Sequence, residues 1–401
     1  DPEPTTGARS VALRHVPTLP GRSTPAHGSC GNRFWLTVGV TTAIERLTAE
    51  DDLLRIGWSD GQESEHLWIW LRDHSHDDAT FHPSTHQREI DTARLPVDLR
   101  AAEVTGDDDV VRIDWADTGE PPSVLPVEFL RIHRRPVGAD DRVVAERVLW
   151  DGESILDEWP VVEHDAVMAD DAAAADWLDR IARFGFCIVS GTPTTMAATE
   201  ALARRIGYVR ETIFGGMWEF QADLSRADTA YTNHTLPPHT DGTYSQDAPG
   251  LQVLHCLAFD GTGGESTMVD GFRVAAQLRV AEPELYDVLS TVEVPGRYVG
   301  DGVHLRAARP VFRHDADGLL VQVSFNNADR APFSLPTEDM RRFYEALRAF
   351  ERRINDERLQ WRRVNRPGDA MVFDNWRVLH GRLGYTGHRH LCGCYVNRED
   401  Y

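Results

Sequence analysis

The sequence predicts a mainly β chain with helices: a double-stranded β-helix (jelly-roll) domain following a small β-rich N-terminal domain. Three observations predict it. Residues 31 to 135 hold short alternating apolar runs separated by Gly and Asp turns. The strands after residue 140 lack a regular strand-helix-strand alternation, which favours an antiparallel barrel with helical insertions over a parallel sheet. The 401 residues also suffice for two or so domains at roughly 150 residues each.

Residues 1 to 30 are rich in Pro, Thr, Ser, Gly and Arg and read as a disordered or loose lead. LLRIGWSDG, HLWIWLRD, VVRIDWAD and LPVEFLRI then read as strands of the N-terminal domain, and RRPVGADDR at 134 to 142 as a linker. Residues 140 to 401 form the second domain. Helices are expected over Asp171 to Phe184, Thr194 to Ile206 and Thr337 to Asn355, the last with Met340, Phe343, Tyr344, Leu347, Phe350 and Ile354 on one stripe. Strands are expected at Gly185 to Val189, Leu251 to Leu257, Leu319 to Phe325, Ala370 to Phe373 and Leu391 to Val396.

A formal charge of -22 argues against a nucleic-acid partner, which needs clustered positive charge, and suits a cationic or zwitterionic small molecule better. All 42 basic residues other than His are arginine. Schiff-base lysine and Walker-lysine chemistry are therefore excluded, and any anion clamp must be a guanidinium. The five cysteines are scattered and suggest no disulfide framework, pointing to a reducing, cytoplasmic setting. No apolar run is long enough for a membrane span. The first residues, DPEPTTGARS, lack Met and leave a removed targeting segment open.

The chemistry concentrates in PPHTDGTY, residues 237 to 244. Two prolines keep the chain extended, so His239 and Asp241, two apart, project to one side. Such a pair is weak evidence alone and recurs at His76 and Asp78. A second half lies in DNWRVLHGRLGYTGHRHLCGCYV, where a strand reaches His380, a turn reverses the chain, and a second strand returns through Arg389. Two His and one carboxylate make the facial triad of a non-haem iron(II) site with open positions for a cosubstrate and dioxygen, whereas a structural zinc wants four closed ligands. Arg389 offers a bidentate fork to a cosubstrate carboxylate. Arg382 is placed in the turn, and Arg377 in an ion pair with Asp374 or at the surface. In GTGGESTMVDGF, Ser266 or Thr267 can add a hydroxyl, or the segment is a plain hairpin turn.

HTDGTY, GLQVLHC, GGESTMVDGF, NNADRA and DNWRVLHGR with GHRHLCGCY together resemble the gamma-butyrobetaine hydroxylase and trimethyllysine dioxygenase family of the taurine dioxygenase superfamily. The resemblance covers about 140 to 401 and, more weakly, the N-terminal domain. It implies iron(II) on His239, Asp241 and His380, 2-oxoglutarate as cosubstrate held by Arg389 with Ser266 or Thr267, dioxygen as oxidant and ascorbate as activator. The retained carboxylate of Asp241 implies hydroxylation rather than halogenation. Phe214, Trp218 and Tyr231 match the positions of an aromatic cage for a trimethylammonium group, with Asp228 as counter-charge. Asn326 and Asn327 are candidates for the amino-acid end of the substrate, or shape a turn. Phe214 stands where a tyrosine is usual. In the N-terminal domain Ser75, Asp77 and Thr80 stand where zinc-binding cysteines are usual, leaving His82, so no conventional zinc is expected. His74, His76 and Asp78 are the only replacement set on offer, with a solvated loop as the other reading.

The implied activity is hydroxylation of an unactivated C-H bond of an amino acid or betaine, with N6-trimethyllysine at carbon 3 the first expectation. The same chemistry on gamma-butyrobetaine or a free amino acid, as hydroxylation or desaturation, is one alternative. A non-catalytic, cupin-like metal-binding sensor is another. A homodimer is suggested by the resemblance alone.

Overall fold

The computed structural model describes residues 9–11, 42–116, 118–134, 146–220, 233–300 and 302–401. The chain divides into two compact units, Asp1–Arg142 and Val143–Tyr401. Most of the expected lead and linker lies outside the described residues, as do Asp228 and Tyr231. Within the lead, Arg9–Val11 departs from expectation: its backbone forms a strand against the edge that residues 47–49 offer.

In the smaller unit β1 (Arg9–Val11), β2 (Ile44–Ala49), β3 (Leu53–Trp58) and β4 (Glu63–Leu67) make one antiparallel sheet, continued by helix α1 (Trp68–Asp73). A second sheet of β5 (Ala101–Gly106), β6 (Val110–Trp115) and β7 (Ser123–Pro126) runs into α2 (Val127–Ile132). Two of the four expected strands therefore convert to helix halfway. The cause is spacing: Trp68, Leu71 and Arg72 in α1, and Val127 and Leu130 in α2, are the buried positions, at intervals of three and four. Leu54, Ile56, Val111, Ile113 and Leu125 alternate inward to meet them.

The Arg72 guanidinium, 2% exposed, lies among the residues at the expected cysteine positions. Its Nε donates to Glu120 at 2.9 Å, a terminal nitrogen donates to Thr80, and Asp77 lies 3.6 Å away. Ser75 Oγ accepts the Val124 N–H at 2.8 Å. His74, His76 and Asp78 do not converge: among the described residues, His239, Asp241 and His380 are the one group of three metal-type donors within 4.8 Å of one another.

In the larger unit β8 (Val161–Glu163) leads to α3 (Asp171–Phe184), β9 (Phe186–Ser190), α4 (Met196–Arg204), β10 (Val209–Arg210) and β11 (Met217–Phe220). β12 (Leu236–His239), β13 (Leu251–Gly263) and β14 (Ser266–Asp270) follow, then α5 (Gly271–Ala281) and α6 (Pro283–Thr291). Two hairpins come next, β15 (Val294–Gly300) with β16 (Val303–Arg309) and β17 (Phe312–His314) with β18 (Leu320–Val323), and then α7 (Thr337–Ile354). β19 (Gln360–Arg363), β20 (Ala370–Asp374), β21 (Val378–Arg382) and β22 (Tyr385–Val396) close the unit.

The strands form a large sheet, β8-β9-β20-β13-β22-β10 with β11 also on β22, and a small sheet, β12-β21-β14-β19. Period-two alternation gives each sheet an inner and an outer face. Inner residues Phe186, Ile188, Met268, Trp361, Met371 and Phe373 pack together. Outer Val189, Val253, Val372 and Cys394 meet Trp177 and Ile181 of α3, whereas outer Val269 and Leu379 meet Phe272 of α5 and Phe343 and Phe350 of α7. This is the jelly-roll architecture expected from the sequence. The strand expected at Leu319 to Phe325 forms as Leu320–Val323 and pairs with Phe312–His314, apart from the large and the small sheet. The second expected helix starts at Met196, where Thr195 Oγ1 caps it by accepting the Ala198 N–H at 3.2 Å.

Candidate active site

His239 ends β12 and pairs directly with His380 of β21, so the two imidazoles meet at a centroid distance of 4.4 Å. Between them Thr240 turns away, donating its N–H to the Phe325 carbonyl at 2.7 Å, and Asp241 returns to the histidine side. Asn375 fixes that turn: its Oδ1 accepts the Asp241 N–H at 2.8 Å and its Nδ2 donates to the Asp241 carbonyl at 3.1 Å. His239 Nε2 lies 3.4 Å from Asp241 Oδ1, and His380 Nε2 lies 3.7 Å from Oδ2.

The neutral form of His239 carries its proton on Nδ1, which donates to the Pro237 carbonyl at 2.8 Å. A lone pair on Nε2 then faces a carboxylate oxygen, an arrangement that calls for a cation between them. Burial works against charge on His239, but the hydrogen bond and charge of Asp241 outweigh it and raise its pKa. Asp241 likewise stays below the usual carboxylate range despite burial, through His380, His239 and the Tyr395 hydroxyl. Burial, aided by repulsion from His239, pushes His380 down to about 3. Two imidazole nitrogens and a carboxylate within 4.8 Å of one another make a donor set suited to a divalent transition metal with open positions.

The triad opens on a cavity of about 480 Å³. Arg389 lines it from β22, buried so that its pKa falls to about 10, first through desolvation and then through Arg382. The remaining influences on it come from Tyr385 and Cys256, neither a carboxylate. A buried guanidinium with no carboxylate paired to it among the described residues suits an anionic ligand. Ser266 lines the same cavity. Thr267 is on the opposite face of β14, beside Gly381, where a Cβ would lie 2.7 Å from the Thr267 Oγ1. Of the two candidate hydroxyls only Ser266 reaches the cavity.

The two other arginines depart from expectation. Arg382 is 5% exposed within β21 and lines the cavity, because the strand continues two residues past His380. Arg377 is paired not with Asp374 but with Asp270, through Nε to Oδ1 at 3.1 Å and a terminal nitrogen to Oδ2 at 2.8 Å. Asp374 is held by Arg398.

Phe214 and Trp218 line the other side of the cavity. Trp218 lies flat on β22 because residue 393 is glycine; a Cβ there would sit 2.2 Å from the indole. The indole packs on Tyr395 at 5.4 Å and Phe220 at 4.6 Å. Phe214 meets Tyr298 edge-on at 5.8 Å, and Tyr298 meets Tyr244 at 5.3 Å. Tyr244, Tyr298, Tyr395 and Asp329 escaped sequence reasoning, although Tyr395 shares the strand face of Arg389 and Leu391 at period two. Asn326 lines the cavity with its side chain engaged: Nδ2 donates to Asp329 Oδ2 at 2.9 Å and Oδ1 accepts the Ala328 N–H at 3.0 Å. Asn327 Oδ1 accepts from Arg330 at 3.1 Å.

The loop after Asp241 is gripped from outside the sheets. Arg309 of β16 donates to the carbonyls of Thr243 at 3.4 Å, Gln246 at 3.4 Å and also Ser245. Gly296 of β15 abuts the same loop, where a Cβ would lie 2.6 Å from the Thr243 carbonyl carbon. The hairpin carrying Tyr298 thereby anchors the loop carrying Tyr244.

Residues 156–395 match the family described as taurine catabolism dioxygenase TauD, TfdA family, and residues 45–134 match the gamma-butyrobetaine hydroxylase-like N-terminal family. A trimethyllysine dioxygenase of Meyerozyma guilliermondii is 33% identical over 89% of this chain and 94% of its own length. The chain belongs to this dioxygenase family. The family model and this relative are both named as dioxygenases, so the sensor alternative is set aside. A gamma-butyrobetaine dioxygenase of Pseudomonas sp. (strain AK-1) is 34% identical over 86% of this chain and 91% of its own. A solved asparagine oxygenase, in complex with Fe(II), hydroxyasparagine and succinate, superposes with a TM-score of 0.44 at 16% identity, over 59% of this chain and 89% of that one. Among the described residues no helix is long and apolar enough to cross a membrane.

Proposed function

We propose that this dioxygenase hydroxylates N6-trimethyllysine at carbon 3, with His239, Asp241 and His380 holding iron(II) and Arg389 with Ser266 holding the far carboxylate of 2-oxoglutarate. The observation that carries the site is the joint opening of the His-Asp-His donor set and the buried Arg389 on one aromatic-walled cavity. Iron(II) bound there supplies the oxidising chemistry that couples decarboxylation of 2-oxoglutarate to oxidation of a C-H bond. The chain's own part is placement. His239 is held in one tautomer by Pro237, Asp241 in one orientation by Asn375, and the fork of Arg389 sets the cosubstrate's distance from the triad. Buried aromatic walls exclude water from the reacting carbon.

Phe214 and Trp218, joined by Tyr395, Tyr244 and Tyr298, offer ring faces to a quaternary ammonium that no hydrogen-bond acceptor can recognise. Asp329 on the cavity wall supplies a carboxylate for the cationic end. The relatives named above favour trimethyllysine, with gamma-butyrobetaine the second reading.

The test is mass spectrometry of an aerobic reaction with iron(II), ascorbate, 2-oxoglutarate and N6-trimethyllysine, with succinate measured in parallel. A product one oxygen heavier, matched one to one by succinate, is expected. Succinate without oxidised trimethyllysine would redirect the substrate to gamma-butyrobetaine or a free amino acid, and a product two hydrogens lighter would mean desaturation.

A further inference from the structure

A metal-bound carboxylate has two oxygens, and the number it commits to the metal decides how many positions stay open. A facial triad serves a chelating cosubstrate and dioxygen only while its carboxylate contributes one. The second oxygen then needs a partner, because an ionised carboxylate buried without one is costly.

Asp241 has that partner. The Tyr395 hydroxyl donates to Oδ2 at 2.8 Å, the usual length of an O–H···O hydrogen bond. The tyrosine has little freedom to follow a rotating carboxylate. It is 7% exposed, its backbone lies in a strand paired with Gln252 on one side and Arg210 on the other, and its ring packs on Trp218. The backbone of Asp241 is pinned independently by Asn375, so the hydroxyl acts on the remaining side-chain torsion.

We infer that Tyr395 is a positioning residue for the metal centre: its hydroxyl occupies Oδ2 of Asp241 and leaves Oδ1, the oxygen nearer His239, to bind the metal. This rests on the metal assignment proposed above. Its consequence is that one side chain serves both halves of the site, a ring in the cavity wall and a hydroxyl on a metal ligand.

The test is Tyr395→Phe, which deletes one oxygen and keeps the ring. Affinity for Mn(II), titrated by electron paramagnetic resonance without cosubstrate or substrate, is expected to fall about 10- to 100-fold, the usual loss when a partner of a metal ligand is removed. Phe220→Leu changes a ring that touches Trp218 rather than Tyr395 and keeps the hydroxyl, and should bind Mn(II) as the parent does. Equal Mn(II) affinity in Tyr395→Phe and the parent, with only the substrate KM raised, would overturn the inference and leave Tyr395 a wall residue. Asp241→Ala separates the two levels: retained Mn(II) binding there would sink the metal assignment itself, whereas lost binding there with unchanged binding in Tyr395→Phe would sink this inference alone.

Discussion

Arg377 and Asp270 form a two-point ion pair in which both side chains are 2% exposed or less. The same aspartate caps α5 by accepting the Phe272 N–H at 3.0 Å, and the same guanidinium donates to the carbonyls of Arg183 at 2.8 Å and Val148 at 2.6 Å. Burial acts against the Arg377 charge, but Asp270 more than offsets it and its pKa rises. Arg377→Ala strands a buried carboxylate, so unfolding in urea should show a loss of about 3–5 kcal/mol. A loss under about 1 kcal/mol, as for an exposed pair, would contradict this account.

Arg389→Lys keeps the charge and loses the fork. The KM for 2-oxoglutarate should rise about 10- to 100-fold, corresponding to about 1.5–3 kcal/mol of charge-assisted hydrogen bonding. Ser266→Ala should raise it less. Thr267→Val, on the other face of β14, should leave it unchanged, and a rise there would mean the two hydroxyls had been assigned the wrong way round.

Gly393→Ala places a methyl 2.2 Å from both the Trp218 indole and the Val253 carbonyl of β13, so the indole or the strand must shift. Steady-state kinetics should show a raised KM for the methylated substrate, with unchanged Mn(II) affinity in the same preparation. A matching loss of metal binding would indicate damage to β22 as a whole rather than to the aromatic wall.

Elemental analysis of the purified full chain should find iron added at about one equivalent and no stoichiometric zinc. In the smaller unit Glu120 and Thr80 accept from the Arg72 guanidinium with Asp77 3.6 Å away, and Ser75 accepts the Val124 N–H. Arg72→Met should lower the melting temperature of that unit, and added zinc should not restore it. Tightly held zinc near one equivalent would refute the reading.

The convergence of His239 with Asp241 was legible in the sequence because it is local, whereas His380 arrives through the pairing of β12 with β21. Pro237 and Pro238 keep the chain extended, so a two-residue spacing is enough to join His239 to Asp241. Arg389 was legible for a related reason, since a turn after a strand returns the chain to the same face. Tyr395 followed from that face by simple counting and was passed over. Tyr298 and the partner of Arg377 did not follow from any local pattern: Asp270 is 107 residues from Arg377, and Tyr298 reaches Tyr244 only through a hairpin outside both large sheets. The helical halves of HLWIWLRD and LPVEFLRI were misread because a single turn of three-residue spacing, set after a true strand, looks like more strand.

The grip of Arg309 and Gly296 on the Asp241 loop means that the Tyr244 and Tyr298 part of the recognition wall is fastened from outside the two sheets, whereas Trp218 and Tyr395 belong to them. Changes at Tyr298 or along the hairpin can redraw what fits without disturbing the strands that carry His239, His380 and Arg389. Descendants of such a chain, natural or engineered, are free to exchange substrates while inheriting one reaction intact.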